Sequence, residues 1–393
     1  MKYIVYLTVF FILFSNIVFG QNNLSVKNTK RTRILVSSGG GARGAWGVGV
    51  AEALMQKYNC RYKVVFGTST GSLMAPFILL NKMTALETAY TSVTEDSIFS
   101  LKPFNVSLTN NTVTTTIKPV RAVWRLLFKK YKTVGETKNL HKLITRWFTR
   151  ADFDTLRKQN LYLAVAVTNM KTGDIEIINS NAPKQALYKD GKVDEWQDMC
   201  NWIWASANEP LFMSYYSYIS HDKKDTAYYV DGGVRDVVPI MQGINYAKKY
   251  ARENNFDTVD VDVIINNGKV VIKRDWTTEG RWINGLLRIL DVYDAGTVNK
   301  DIIMGSLYAK YHDLYSQTQS TLPDAKKDQE KESIIILHLY FMNQTLAESY
   351  SDELGFFQSK MKELLDNGKH YFDADKLEKN QPLNFHISSK SLD

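Results

Sequence analysis

Residues 34–44 read ILVSSGGGARG and residues 63–71 read KVVFGTSTG, and these two stretches decide the fold. Each begins as a short run rich in β-branched residues, Ile34 to Ser37 and Lys63 to Phe66, and each breaks at glycine. Each then gives way to a helical pattern, from about Ala45 to Lys57 and from about Ser72 to Leu80. A strand that turns through glycine into a helix, twice in succession, is the start of an α/β fold. The consecutive glycines Gly39, Gly40 and Gly41 admit positive φ and close backbone approach, and the helix start behind them offers free N–H groups. Such a loop holds a phosphate or an oxyanion.

The loop from Gly39 to Gly44 fits G-x-G-x-x-G, a dinucleotide signature. That reading needs an acidic residue at the end of the next strand, about 20 residues on. The next strand ends in Phe66-Gly67-Thr68-Ser69 instead, without a carboxylate. Gly67-Thr68-Ser69-Thr70-Gly71 is a G-x-S-x-G motif between strand and helix, the setting of a nucleophile elbow. Small residues at Gly67 and Gly71 let the chain turn sharply, so that the Ser69 hydroxyl projects at the carboxyl end of the sheet. There the N–H groups of the following helix favour negative charge. A third motif, Asp231-Gly232-Gly233, follows the strand Tyr228–Val230. A serine hydroxyl needs a base, and an Asp held beside it can take the proton directly.

Composition sets the frame around these motifs. The chain has 393 residues, 44% apolar and 23% charged, which excludes wholesale disorder and collagen-like repeats. The one stretch apolar enough to interest a membrane is residues 1–20, MKYIVYLTVFFILFSNIVFG, so a multi-span protein is excluded. Lys2, the apolar run Tyr3 to Phe14 and the end near Gly20 follow secretory signal-peptide grammar, and cleavage is expected rather than retention as an anchor. The protein is therefore expected in the periplasm, at an outer membrane surface or outside the cell. Loss of Lys2 takes the net charge from +8 to 8 − 1 = +7. That basic balance suits nucleic acid or anionic lipid, and export favours the lipid. Cys60 and Cys200 allow at most one disulfide, which sequence cannot place, and their spacing does not suggest a zinc site.

Along the chain, residues 21–32 read as a polar spacer, residues 33–275 as the catalytic core, and residues 276–393 as a continuation packed on the same domain. Further strands are expected at Leu161–Thr168, Asp174–Ile178, Val259–Ile265 and Ser333–Tyr340. Helical patterns occupy about Val193–Ala205, Pro239–Glu253, Gly285–Tyr315 and Asp352–Asn367. Strands interleaved with helices imply a three-layer α/β/α fold with a mostly parallel central sheet. Thr318 to Lys331 is the most loop-like stretch and is expected to cross the surface.

Taken together, the strand followed by GGGARG, the strand followed by GTSTG about 25 residues later, and the distant strand with DGG resemble the patatin-like phospholipases. The likeness covers about residues 33–240. Ala205-Ser206-Ala207-Asn208-Glu209-Pro210 resembles the small-residue-then-proline segment upstream of that family's Asp strand. The resemblance implies lipid acyl hydrolysis by a Ser–Asp dyad, with no histidine, metal or other cofactor. It makes Ser69 the nucleophile and Asp231 the general base. The Gly39–Gly44 loop, with Gly39, Gly40, Gly41, Arg43 and Gly44, becomes the oxyanion hole, donated chiefly by the amides of Gly40 and Gly41 and braced by Arg43. The implied partner is a membrane or lipid aggregate, with anionic lipid suited by the charge, and no nucleic acid.

Two competing readings have their own marks. A Ser-His-Asp α/β-hydrolase normally sets several strands before its elbow and a catalytic His late in the chain. Here the late candidates are His312, His338, His370 and His386, of which His338 lies inside the apolar run Ile334–Tyr340. A non-catalytic lipid-binding protein on the same fold would not require Ser69, Asp231 and the glycine loop together. Residues 119–134, PVRAVWRLLFKKYKTV, place Val120, Val123, Trp124, Leu127, Phe128 and Tyr131 on one helical face opposite Arg121, Arg125, Lys129 and Lys132. That pattern suits an anionic lipid interface, though an ordinary surface helix gives the same one. Trp202, Trp204, Phe212, Tyr215 and Tyr216 are candidates for an acyl channel, with core packing the default.

Overall fold

The computed structural model describes residues 30–109, 112–117, 132–188, 191–268, 296–305, 307–308, 333–350, 355–373 and 383–388. The expected signal at 1–20, the spacer up to residue 29, the basic stretch through residue 131 and the loop 318–331 lie outside the described residues. So do residues 285–295 and 309–315 of one expected helix and residues 352–354 of another.

The chain runs through β1 (Arg31–Ser37), α1 (Gly44–Lys57), β2 (Val64–Thr68), α2 (Thr70–Leu79) and α3 (Met83–Ser92). A hairpin of β3 (Phe104–Thr109) and β4 (Thr112–Ile117) follows, then α4 (Lys138–Trp147), α5 (Arg150–Lys158), β5 (Tyr162–Asn169) and β6 (Ile175–Asn179). Next come α6 (Glu195–Ser206), β7 (Tyr216–Ile219), β8 (Thr226–Asp231), α7 (Ile240–Asn254) and β9 (Thr258–Ile265). A helix α8 spans 296–305, before β10 (Ile334–Phe341), α9 (Gln358–Lys369) and β11 (Leu383–Ser388).

Nine strands form one sheet in the order β11-β10-β9-β1-β2-β5-β8-β7, with β6 on β5. The centre, β10 to β5, is parallel throughout. Antiparallel strands β11, β6, β8 and β7 finish its margins. A parallel sheet must be covered on both faces, and its side chains alternate accordingly. Leu35, Val65 and Leu163 enter one buried cluster with α1, α2, α6 and α9; Ile34, Val36, Phe66 and Ala164 enter the other with α7 and α8. This is the three-layer α/β/α arrangement that the alternation of strands and helices implies.

One handover in the sheet positions the site. A strand has two edges. Residues 164–168 of β5 pair with β6 on one edge, and residues 162–166 pair with β2 on the other. The last β2 pair is Thr68 with Ala166; the next residue, Val167, pairs with Asp231 of β8. Because β6 already holds Val167 and Thr168 from its side, β8 takes up the edge that β2 leaves when it turns into α2. Ser69 and Asp231 therefore follow each other along one rail, although they are far apart in sequence.

The strand β9 carries Asp260 and Asp262 fully buried in the middle of the sheet. Arg31 grips Asp260 through two hydrogen bonds and Arg33 grips Asp262 likewise. Tyr62 and Tyr340 donate to Asp262, and His338 Nε2 lies 2.7 Å from Asp260 Oδ1. Burial alone would raise the Asp260 carboxyl. The hydrogen bonds from Arg31 and His338 and the charges of Arg33 and Arg31 outweigh it and hold the group well below the usual carboxylate range.

Candidate active site

The end of β2 is where local geometry departs from the ordinary. Ser69 has φ +53° and ψ −122°. A side chain held at such angles costs about 1–3 kcal/mol and persists only where its surroundings fix it. They do so here from several sides. The Ser69 carbonyl accepts from the Ser72 amide at 2.9 Å and the Ser72 hydroxyl at 2.6 Å. The Ser69 N–H donates to the Ser206 hydroxyl at 3.1 Å. A Cβ on Gly71 would run into the Ser37 carbonyl at the end of β1, so only glycine lets α2 start this close to the sheet. Ser69 stays partly exposed while Thr68 and Thr70 beside it are buried.

The glycine loop lies against this elbow. A Cβ on Gly39 would sit 3.3 Å from Ser69 Cβ. The Gly39 N–H donates to the Val237 carbonyl at 3.0 Å, and the Arg43 N–H to the Gly40 carbonyl at 2.9 Å. The Gly44 N–H also turns inward, to the Gly41 and Ala42 carbonyls. Among the described residues, no acceptor faces the amides of Gly40 and Gly41. Gly40 has φ +140°, and a Cβ there would be 2.7 Å from Asn266 Cβ. Asn266, just past β9, ties the loop down: its N–H reaches Ser38 Oγ at 2.8 Å and its Nδ2 the Ser38 carbonyl at 2.9 Å. Arg43 is buried within the loop.

Asp231 closes β8 and is buried. Its Oδ1 accepts from the Gly233 N–H at 2.7 Å, and its own N–H donates to the Asn208 carbonyl at 2.9 Å. Gly232 passes so near β5 that a Cβ would come within 2.5 Å of the Ala166 carbonyl. Val237 stands between the parts. A Cβ on Gly39 would lie 3.4 Å from Val237 Cγ1, and one on Gly233 would lie 3.7 Å from Val237 Cγ2. The structure thus gathers Gly39, Gly40, Gly41, Gly67, Ser69, Gly71, Asp231, Gly232 and Gly233 at the carboxyl ends of the parallel strands.

Ser206, Asn208 and Asn266 were not picked out by sequence reasoning as members of this site. Ser206 and Asn208 lie in the segment Ala205 to Pro210, whose likeness to the family was the available signal. Asn266 had none. The aromatic group fits core packing instead of a channel: Trp202 is fully buried, with its indole N–H on the Lys184 carbonyl, and Tyr216 packs edge-on to it at 5.0 Å. His338 faces Asp260, four residues back from Ile264 at the strand end, or about 13 Å. His370 bonds its own helix at the Asp366 carbonyl. His312 lies outside the described residues, and residue 386 pairs with Ile336 on the sheet margin. Cys60 and Cys200 are both free thiols, and burial pushes Cys200 up to about 12.

A second acidic pair flanks the site. Asp236 and Asp301 of α8 are hydrogen-bonded to each other, and burial followed by the Asp301 charge pushes Asp236 up to about 8. Asp301 Oδ2 also accepts from the Val238 N–H at 3.1 Å. The Asp236 carbonyl accepts from Thr68 Oγ1 at 3.2 Å, one residue before Ser69.

Fold and site together define an α/β protein with its working surface at the carboxyl ends of parallel strands. The chain belongs to the patatin-like phospholipases: the model of that family matches residues 35–244. Membership makes it a lipid acyl hydrolase, acting on lipid substrates. Among solved structures, VipD from Legionella pneumophila is similar over 86% of this chain and 67% of that chain, at 13% identity and a TM-score of 0.31. No curated protein matches the chain.

Proposed function

We propose that the protein hydrolyses carboxylic esters of lipids, in the manner of a phospholipase A or a general lipid esterase, through a Ser69–Asp231 dyad. The observation that carries this reading is the handover on β5, which sets Asp231 on the strand edge directly beyond the Ser69 elbow. Asp231 accepts the hydroxyl proton as Ser69 Oγ bonds to the ester carbonyl carbon. The carbonyl oxygen becomes an oxyanion, and the amides of Gly40 and Gly41 hold it. Gly39, whose N–H is engaged by the Val237 carbonyl, and Arg43 and Gly44, whose N–H groups are engaged within the loop, shape and brace it. The ester C–O bond then breaks and the departing alcohol or lysolipid takes the proton from Asp231. Water, deprotonated by the same carboxylate, attacks the acyl-serine; the acyl C–Oγ bond breaks, Ser69 Oγ takes the proton back from Asp231, and the fatty acid is released.

The reading includes export through residues 1–20, and a preference for anionic aggregates supported by the net charge, +8 for the full sequence and 8 − 1 = +7 without Lys2. The test is fatty-acid release from mixed phospholipid vesicles by the protein beside Ser69→Ala and Asp231→Asn. Release abolished in both variants supports the dyad. Release that survives Asp231→Asn places the base elsewhere and refutes it.

A further inference from the structure

Helix α8 presents two unlike faces. Its inner face carries Val298, Asp301 and Gly305, all buried. That face is fastened to the segment following the Asp231 motif. Asp301 accepts from the Val238 N–H, Lys300 Nζ donates to the Arg235 carbonyl at 2.9 Å, and a Cβ on Gly305 would lie 2.7 Å from Ile240 Cγ2. The outer face carries Ile303, Met304 and, in the helical residues beyond, Leu307, spaced i, i+1, i+4 and so on one stripe. Ile303, Met304 and Leu307 are 56%, 50% and 56% exposed. Among the described residues they are three of ten large apolar side chains left in solvent, and they fall within five positions of each other. Scattered exposed apolar residues need no explanation, whereas a grouped set marks a contact surface.

We propose that this outer face of α8 seats the protein on a lipid aggregate. Ile303, Met304 and Leu307 enter the acyl boundary. The inference rests on the lipid hydrolase reading of the site. Location is the first argument for lipid as the occupant. The inner face of α8 grips the residues that bring Val237 against the glycine loop, so its outer face stands one layer beyond the Ser69 elbow at the same end of the sheet. An ester drawn from a bilayer into that site brings the bilayer to this face. Chemistry is the second argument: an apolar stripe on a helix whose other face is packed matches a helix lying in the interface of a lipid aggregate.

The probe is a vesicle of diether phosphatidylcholine and phosphatidylglycerol, which binds but cannot be hydrolysed. The protein carrying Ile303→Ser, Met304→Ser and Leu307→Ser together should bind these vesicles about tenfold more weakly or worse. Its turnover of a soluble short-chain ester should stay at the parent level. The single variants Leu307→Glu and Leu307→Phe, each a minimal surface change, should move vesicle affinity down and up respectively. Unchanged vesicle binding overturns the proposal. So does a change in oligomeric state or unfolding midpoint without a change in vesicle binding, which assigns the face to a second copy or to this chain itself. If the parent protein binds vesicles through α8 yet turns over neither soluble nor vesicular ester, the docking surface stands and the hydrolase reading falls.

Discussion

Replacing Ser206 by alanine tests how the reactive geometry is held. Ser206 Oγ is the acceptor for the N–H of Ser69, a residue with positive φ, and it is fully buried at the end of α6. Ser206→Ala removes one hydrogen bond and leaves a backbone N–H without its partner. Losing the bond costs about 0.5–1.5 kcal/mol, and an unsatisfied buried donor about 1–3 kcal/mol. The elbow keeps its other restraints, the Ser72 bonds and the close packing of Gly71 on β1, so the lower part of that range applies. A destabilisation of about 1.4 kcal/mol expressed in the elbow corresponds to about tenfold in rate. The assay is steady-state hydrolysis of a soluble p-nitrophenyl ester, with kcat and KM separated, together with the rate of Ser69 modification by a fluorophosphonate. A positioning role predicts that kcat and the modification rate fall together by about tenfold while KM holds. A kcat within twofold of the parent, or a loss explained wholly by a lower unfolding midpoint, would refute the argument.

Three further outcomes follow from the same geometry. Gly40→Ala puts a Cβ 2.7 Å from Asn266 at φ +140°, displacing an amide assigned to the oxyanion, and should lower kcat on a soluble ester by about 100- to 1000-fold. Arg33→Leu strips Asp262 of its bidentate partner and Asp260 of a neighbouring cation, and should cost about 3–5 kcal/mol in urea unfolding. Asp236, raised to about 8 by burial and by Asp301, keeps its proton in the folded state and loses it in the unfolded state between about pH 4 and 8. Its contribution is therefore full below about pH 4 and is lost as pH rises through about 8, with Lys300 and Gln242 the other groups facing the pair. Asp236→Asn should flatten that slope, so urea unfolding at pH 5, 7 and 8.5 should show the variant gaining on the parent as pH rises.

The parts legible in the sequence were those where backbone geometry admits few residues. The elbow and the glycine loop could be read because close approach and positive φ select glycine, and the strands flanking them because parallel strands are continuously apolar. The parts that could not be read depend on partners distant in the chain. The alternation Val259-Asp260-Val261-Asp262 looks like a strand with one wet face, yet Arg31, Arg33 and His338 arrive from neighbouring strands to bury both carboxylates. The short strand Tyr216–Ile219 was hidden because its aromatics looked like a cluster rather than an alternating edge. The hairpin at 104–117 and helices α4 and α5 fell in a stretch without motifs. Ser206 contributes one hydrogen bond and Asn266 two, and such isolated bonds leave no periodic trace.

The rail formed by β5 has a consequence for how such a protein can change. Thr68, just before Ser69, and Asp231 are indexed to consecutive positions on the β5 edge, so their separation does not depend on the length of the segments that join β2, β5 and β8. The intervening hairpin and the helices α4 and α5 can be lengthened or exchanged, provided that β2 still stops at Thr68, β8 still takes up at Val167, and Ser206 and Asn208 still meet Ser69 and Asp231. Those segments can therefore drift in sequence while Ser69 and Asp231 stay in register. Grafting residues 90–160 from a relative should therefore leave the offset between Ser69 and Asp231 unchanged.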